Sequence, residues 1–323
     1  MALFSTGILL SLLLTACASF KSAPLGSQLK KGNCNQQVVY RYTAEDLPRP
    51  LHELNLDTAL TSRFSFSALN AAQAIGVLQP LRQYLQAWEE YRSAPTVEKS
   101  AEVLALTQRI NQLITVAYLE IAAAAGEMDC EEERADQIAA YLKGKEEEVE
   151  MKLTVGAIVV GALGAVVTGI LLTNDEPGNA SEALGIGTGL VEATLGALIL
   201  AGNRKVAFYH HRNALSDIWT GPKTSTIFPP SVWYYLTYEK PDSGERSLRQ
   251  QLVDQWLAFS RLAEVKEKDK EKVYGLFFGE GGHYTAEQLA ERANMYDQVE
   301  AQINLMKQDL KQLALEFERL SRR

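Results

Sequence analysis

The chain is poor in the residues from which catalytic and metal sites are built, with only four histidines and three cysteines among 323 residues. No His-Glu-x-x-His pattern occurs. The adjacent His210 and His211 would point about 100° apart on a helix, so they cannot both ligate one ion. There is no Gly-x-Ser-x-Gly elbow. Gly279-Glu280-Gly281-Gly282-His283 is only superficially like a phosphate loop, because it lacks the Lys-Ser/Thr of a P-loop, and it reads as a turn. His52 and His283 have no recognisable partner in sequence. These absences argue against an enzyme: no catalytic residue, metal, cofactor or small-molecule substrate is assigned. A basic stripe is missing too. Lys and Arg number 32 against 40 Asp and Glu, a net charge of −8, which gives no footing for nucleic acid. The ten prolines fall mostly outside the periodic segments, which favours a mainly helical protein.

What the chain does have is a pair of apolar runs. Leu153 to Thr173 reads LTVGAIVVGALGAVVTGILLT, without an ionisable residue, and Ala183 to Gly202 reads ALGIGTGLVEATLGALILAG, with the single Glu192. Between them NDEPGNASE, holding Asp175, Pro177 and Gly178, suits a tight reversal. At ~1.5 Å per residue each run is long enough to cross a hydrocarbon core of about 30 Å. Small residues recur every four positions, at Ala157, Gly161, Ala165 and Gly169, and again at Gly185, Gly189, Ala193, Ala197 and Ala201. Such a glycine-zipper-like register lets helix backbones approach closely in lipid, where apolar burial gives no drive. Glu192 opposes insertion, at roughly 2.5–3.5 kcal/mol near a bilayer centre, so the first run is the stronger span. Glu192 would face the hairpin interior, a neighbouring subunit or a water-filled lumen. The rival expectation is a hairpin buried in a soluble bundle.

Met1 to Ala16 has a short apolar core, Ile8 to Leu14, typical of a secretory signal peptide. It ends in Leu14-Thr15-Ala16-Cys17, which resembles the lipobox of bacterial lipoproteins. The resemblance covers about the first twenty residues and lacks a Lys or Arg near Met1. It implies cleavage before Cys17, acylation of that cysteine and anchoring outside the cytoplasm, with Ala18 after it fitting the outer membrane. Cys34 and Cys130 remain as an even pair, candidates for a disulfide in an oxidising compartment.

Residues 17–35 read as a lipidated tether, 36–152 as the first part of a helical bundle, 153–203 as the hydrophobic hairpin and 204–323 as the second part. QQVVYRYT (Gln36 to Thr43) looks like a strand, and its expected partner is 232–238 within SVWYYLTYE. Helical periodicity covers about Asp57 to Arg92, with Pro80 expected to kink it, and Thr96 to about Ala125, with Gly126 as its stop. A third helix is expected from near Met128 into the first run. The second run is expected to continue as helix to Trp219, giving two long helices that share an apolar tip. EVKEKDKEK from Glu264 reads as a solvated helix face, and Val273 to Tyr284 as a loop. Thr285 caps a last helix over 285–321. Its Val299, Ile303, Met306, Leu310, Leu313, Phe317 and Leu320 form a coiled-coil seam expected to pack within the chain. The fold class expected is mainly α, a long-helix bundle with a Gly-rich hairpin and a small two-stranded β element.

Arg204, Lys205, His210, His211 and Arg212 follow the second run as a basic collar suited to lipid headgroups. The reading is a lipid-anchored cell-envelope protein with a second membrane contact through the hairpin. It would be a structural or assembly subunit of an oligomeric membrane complex, with membrane lipid and further copies or other subunits as partners. One alternative is an α-helical pore-former that inserts 153–203, since long helix, apolar hairpin and long helix is an arrangement similar to that of helical cytolysins. A second is a soluble periplasmic binding module with the hairpin buried.

Overall fold

In the computed structural model of the protein the described residues are 34, 39–173, 204–210, 212–240, 244 and 246–322, with side chains described as far as 162 in the long helix. Cys17 and its tether, Cys34 excepted, lie outside them, as do Glu192 and the second run.

Short 3-10 turns at Ala44–Asp46 and Leu51–Glu53 lead into α1 (Thr58–Thr61), α2 (Phe66–Ala74) and α3 (Leu78–Ser93). Asp57 caps α1 by accepting the Ala59 N–H at 2.9 Å, and Ser65 caps α2 through Ala68 N–H. The helix expected over this stretch breaks at 62–65 and again at Gly76, with φ +72°, and not at Pro80. Pro80 sits in the first turn of α3, where its missing N–H is no loss.

The frame is α4 (Val97–Thr173), a single helix of 77 residues. At ~1.5 Å per residue it is roughly 115 Å long. Thr96 Oγ1 accepts the Lys99 N–H at 3.2 Å and starts it. The stop expected at Gly126 and the restart near Met128 are overturned: the helix runs through. A glycine inside a helix costs only about 1 kcal/mol, and the neighbouring Ala124, Ala125 and Met128 are buried in the core.

The last helix, α9 (Ala286–Ser321), opens with a capping box between Thr285 and Gln288. It lies antiparallel to α4. The Glu287 carboxylate feels Lys143, Glu132 feels Asp297, and Lys307 Nζ stands 5.9 Å from the Tyr118 ring. The seam packs inside the chain: Val299, Ile303, Met306, Leu310, Leu313 and Phe317 are buried and Leu320 is partly so. Facing them on α4 are Ile110, Ala117, Ile121, Ala124 and Met128. Each fully buried aliphatic side chain contributes about 1.5–3 kcal/mol, so this seam holds the bundle together. Tyr84 of α3 closes one end, edge-on to Phe317 at 5.0 Å.

Four shorter helices cover the side: α5 (Ala214–Thr220), α6 (Pro230–Thr237), α7 (Leu248–Phe259) and α8 (Lys270–Phe278). The small sheet is β1 (Val206–Tyr209) antiparallel to β2 (Gly281–Tyr284), with Val206 opposite Tyr284 and Phe208 opposite Gly282.

Several expectations give way to different local structure, the strand over Gln36 to Thr43 among them, since its described residues 39–43 are in no sheet. The strand expected over 232–238 is α6, because Pro229-Pro230 places a proline at the first helical position and starts a helix. The amino-terminal arm still reaches this region, with Tyr40 N–H donating to Thr226 O at 3.1 Å and Ser225 N–H to the Tyr42 hydroxyl at 2.9 Å. The helix expected to run from the second apolar run to Trp219 is instead β1 followed by α5. The loop expected at Val273 to Tyr284 is the end of α8 and β2.

Candidate functional site

Helix α4 outruns its partner. Leu142 is the last buried residue among the described side chains of α4, and α9 begins beside the next one, Lys143. Beyond that point Met151, Val155, Ile158 and Val159 are 50–67% exposed. Ala157 and Gly161 share the opposite, half-buried face with Leu153 and Val160. The chain re-enters the described bundle where it left, for Arg204 N–H donates to Glu146 Oε1 at 2.9 Å. Among the described residues no helix is long and apolar enough to cross a membrane. Ala165 and Gly169 have no described side chains, and Gly185, Gly189, Glu192, Ala193 and Ala197 lie outside the described residues.

At this end of the bundle the β ribbon is clamped onto α4 and α9. Phe208 is buried, with the Arg134 guanidinium 4.6 Å from its ring centre. His210 is buried against Phe208 and Tyr284. Tyr284 donates its hydroxyl proton to Leu276 O, so the network assigns the His210 Nε2–H as donor to the Tyr284 oxygen, at 2.9 Å. Burial, reinforced by the nearby Arg292 charge, pushes the His210 imidazolium down to about 2, which leaves the ring neutral.

Arg292 is fully buried. It donates to Phe277 O at 2.8 Å, to the Tyr296 hydroxyl at 3.0 Å and to Asn213 Oδ1 at 3.1 Å. Asn213 in turn donates to Phe277 O and Gly279 O. Together they satisfy the carbonyls at the C-terminal end of α8, where a cation is favoured by the helix dipole. Arg212 grips Glu127 of α4 at 2.6 Å and also donates to Thr226 O and Ile227 O. One turn along α4 from Glu127, Cys130 is bonded to Cys34, with Cα atoms 5.4 Å apart.

The basic collar is therefore corrected in part. His210 is a buried neutral ring, and Arg212 is committed to an ion pair, so neither is a headgroup cation. His211 lies outside the described residues. Arg204 and Lys205 stay exposed. Lys205 lines a cleft of about 560 Å³ with Lys272, His283, Gln288 and Asp269, over a floor formed by Gly275, Gly281 and Gly282.

The chain matches no family model, no curated protein and no solved structure.

Two further clusters escaped the sequence reading. The carboxylates of Asp129, Glu132 and Glu300 converge within 4.8 Å. Glu132 is held above the usual carboxylate range by burial first and then by its acidic neighbours. The acidic run after Cys130 signalled part of this, but Glu300 arrives from α9. Ser225 Oγ lies 2.5 Å from Asp217, whose carboxyl is raised by burial. The hydroxyl oxygen accepts the N–H groups of Ile227 and Phe228, which makes it a turn brace and not a nucleophile.

Proposed function

We propose that this is a lipid-anchored cell-envelope protein that makes a second membrane contact through its apolar hairpin, residues 153–203. In that role it is a structural or assembly subunit of an oligomeric membrane complex. The observation that carries the reading is the exposed stripe Met151, Val155, Ile158 and Val159 on the part of α4 that outruns the bundle. Moving such side chains from water to an apolar phase gains about 1.5–3 kcal/mol each. The small-residue face with Ala157 and Gly161 supports close helix pairing there. Anchoring through Cys17 rests on the lipobox resemblance.

The pore-forming reading draws on the same feature, since an unbroken α4 joins the bundle rigidly to the apolar run. The two part on stoichiometry and ion leakage: a ring of copies that releases dye from liposomes favours the pore, and a tight vesicle favours the assembly subunit.

Ile158 and Leu104 are equally open, at 66% and 60%, one beyond the bundle and one on it. Each is replaced by Cys in the full chain and labelled with an environment-sensitive fluorophore. On reconstitution into liposomes the probe at 158 is expected to shift to the blue and to be quenched by lipid-borne nitroxides, and the probe at 104 to do neither. Identical responses at the two positions would end the reading.

A further inference from the structure

We propose that the cleft between α8, β2 and the start of α9 binds a phosphate carried on a glycerol-like polyol, an assignment that rests on the membrane reading above only for the source of that phosphate. In an acidic chain of net charge −8, this cleft gathers cations and donors. Lys205 comes from the segment entering β1, Lys272 from α8, His283 from β2 and Gln288 from α9.

Neither Lys205 nor Lys272 is ion-paired among the described residues, whereas Lys270, two positions away, is paired to Glu267 at 2.6 Å. The Gln288 carbonyl oxygen is already used by Thr285 N–H at 3.0 Å, so the amide offers the cleft its NH2 donors. Two ammonium groups and an amide fit the oxygens of a phosphate through charge-assisted hydrogen bonds. Asp269 is the one carboxylate on the wall, and it suits a ligand hydroxyl.

Size points beyond a bare ion. A cleft of about 560 Å³ lies in the range that holds small organic ligands, and Val273 and Leu276 offer apolar surface to a short carbon backbone. The floor depends on glycine. A Cβ on Gly281, which has φ +92°, would sit 2.4 Å from Phe208 O, and one on Gly282 would sit 3.1 Å from Leu276 Cδ1. Gly281 thus lets β2 lie tight against β1, and Gly282 lets it lie close to Leu276 of α8. Arg204, beside Lys205, hydrogen-bonds to Glu146 where α4 leaves the bundle. The cleft thus opens at the end of the bundle from which the apolar run of α4 departs, where the headgroups of a contacted membrane would lie.

The test uses the full chain in neutral detergent and phosphate-free buffer. Calorimetric titration with inorganic phosphate and with sn-glycerol 3-phosphate reads the soluble source, and mixed micelles containing phosphatidylglycerol read the lipid source. In each arm, lysine acylation followed by mass spectrometry reports protection at Lys205 and Lys272, with the exposed Lys223 and Lys311 as internal controls. Saturable glycerol phosphate binding with protection of both lysines identifies a soluble ligand, and protection only in phosphatidylglycerol micelles identifies the headgroup. Lys205→Glu with Lys272→Glu is expected to weaken the binding about tenfold or more, and Lys205→Gln with Lys272→Gln to weaken it less, both at unchanged melting temperature. No protection in any arm, or equal binding by the Glu pair, overturns the proposal. Because no bilayer enters these measurements, insertion at Ile158 can succeed or fail independently of them.

Discussion

Arg204 and Glu146 are neighbours: the backbone N–H of the first lies 2.9 Å from the carboxylate of the second. The chain from 147 to 203 therefore begins and ends at neighbouring points, and on α4 no side chain described between 143 and 162 is buried. Replacing 148–202 with a Gly-Ser linker of about four residues, each spanning ~3.5 Å, should leave the bundle intact. The shortened protein is expected to unfold in one cooperative step with a melting temperature close to that of the full chain, and to lose liposome binding beyond that of its anchor. A non-cooperative melt by circular dichroism would mean that the removed segment is part of the fold.

The Cys34–Cys130 bond spans 96 positions and ties the amino-terminal arm to α4. Closing so long a loop removes much of the unfolded chain's freedom, an effect of about 4–5 kcal/mol in the chain-entropy model. Cys34→Ser with Cys130→Ser is expected to lower the urea midpoint accordingly, and reductant should do the same to the native chain while leaving the double variant unchanged.

Arg292 is buried, its hydrogen-bond partners among the described residues are neutral oxygens, and it holds the end of α8 to α9. Methionine fills a similar volume but removes the arginine donor from the Tyr296 hydroxyl and Asn213 Oδ1 and leaves the Phe277 carbonyl with Asn213 alone. Arg292→Met should cost about 3–5 kcal/mol, and Arg292→Lys nearly as much because the planar fork is lost. Denaturant curves with unchanged slope and a shifted midpoint would be the signature.

His210 gives the fold an acid-sensitive point. Its folded value is about 2 against an ordinary 6.5, so below 6.5 the unfolded chain binds a proton that the folded chain refuses. The stability this neutral ring contributes is complete above pH 6.5 and is lost as pH falls toward 2, by about 1.4 kcal/mol per pH unit. His210→Gln should weaken the protein at pH 7.5, through the altered contact with Tyr284, and flatten the stability profile between pH 6 and pH 4. A parallel profile in the variant would place the acid sensitivity elsewhere.

The seam of α9 was legible because its apolar residues step by threes and fours and Thr285-x-x-Gln288 marks its start. The disulfide partners were legible from cysteine arithmetic. Gly126 misled because local propensity names it a stop, while the long partner helix keeps α4 continuous through tertiary packing. SVWYYLT carries strand-like aromatics, yet Pro230 at the first helical position decides for helix. VAFY in β1 was hidden because Gly202-Asn203, which separates it from the apolar run, was read through as helix, and its partner GGHY reads as a turn until the two are paired. In the collar the cations were visible, but Glu127, which takes up Arg212, is distant in sequence. The cleft drew its lysines from two separate segments, and no local pattern could join them.

Ala157 and Gly161 lie on the half-buried face of α4 while Val155, Ile158 and Val159 face outward. If the small face is where helices meet, a bulky side chain there must push backbones apart by several ångströms, whereas the same change on the branched face would leave packing alone. Gly161→Leu with Gly189→Leu is expected to abolish the oligomer in detergent and in membranes, and Ile158→Leu to leave it whole. Light scattering on detergent-solubilised protein and crosslinking in intact membranes measure both. An unchanged mass for the double variant would detach oligomer formation from the glycine register, and the assembly role would then need a surface on the bundle itself.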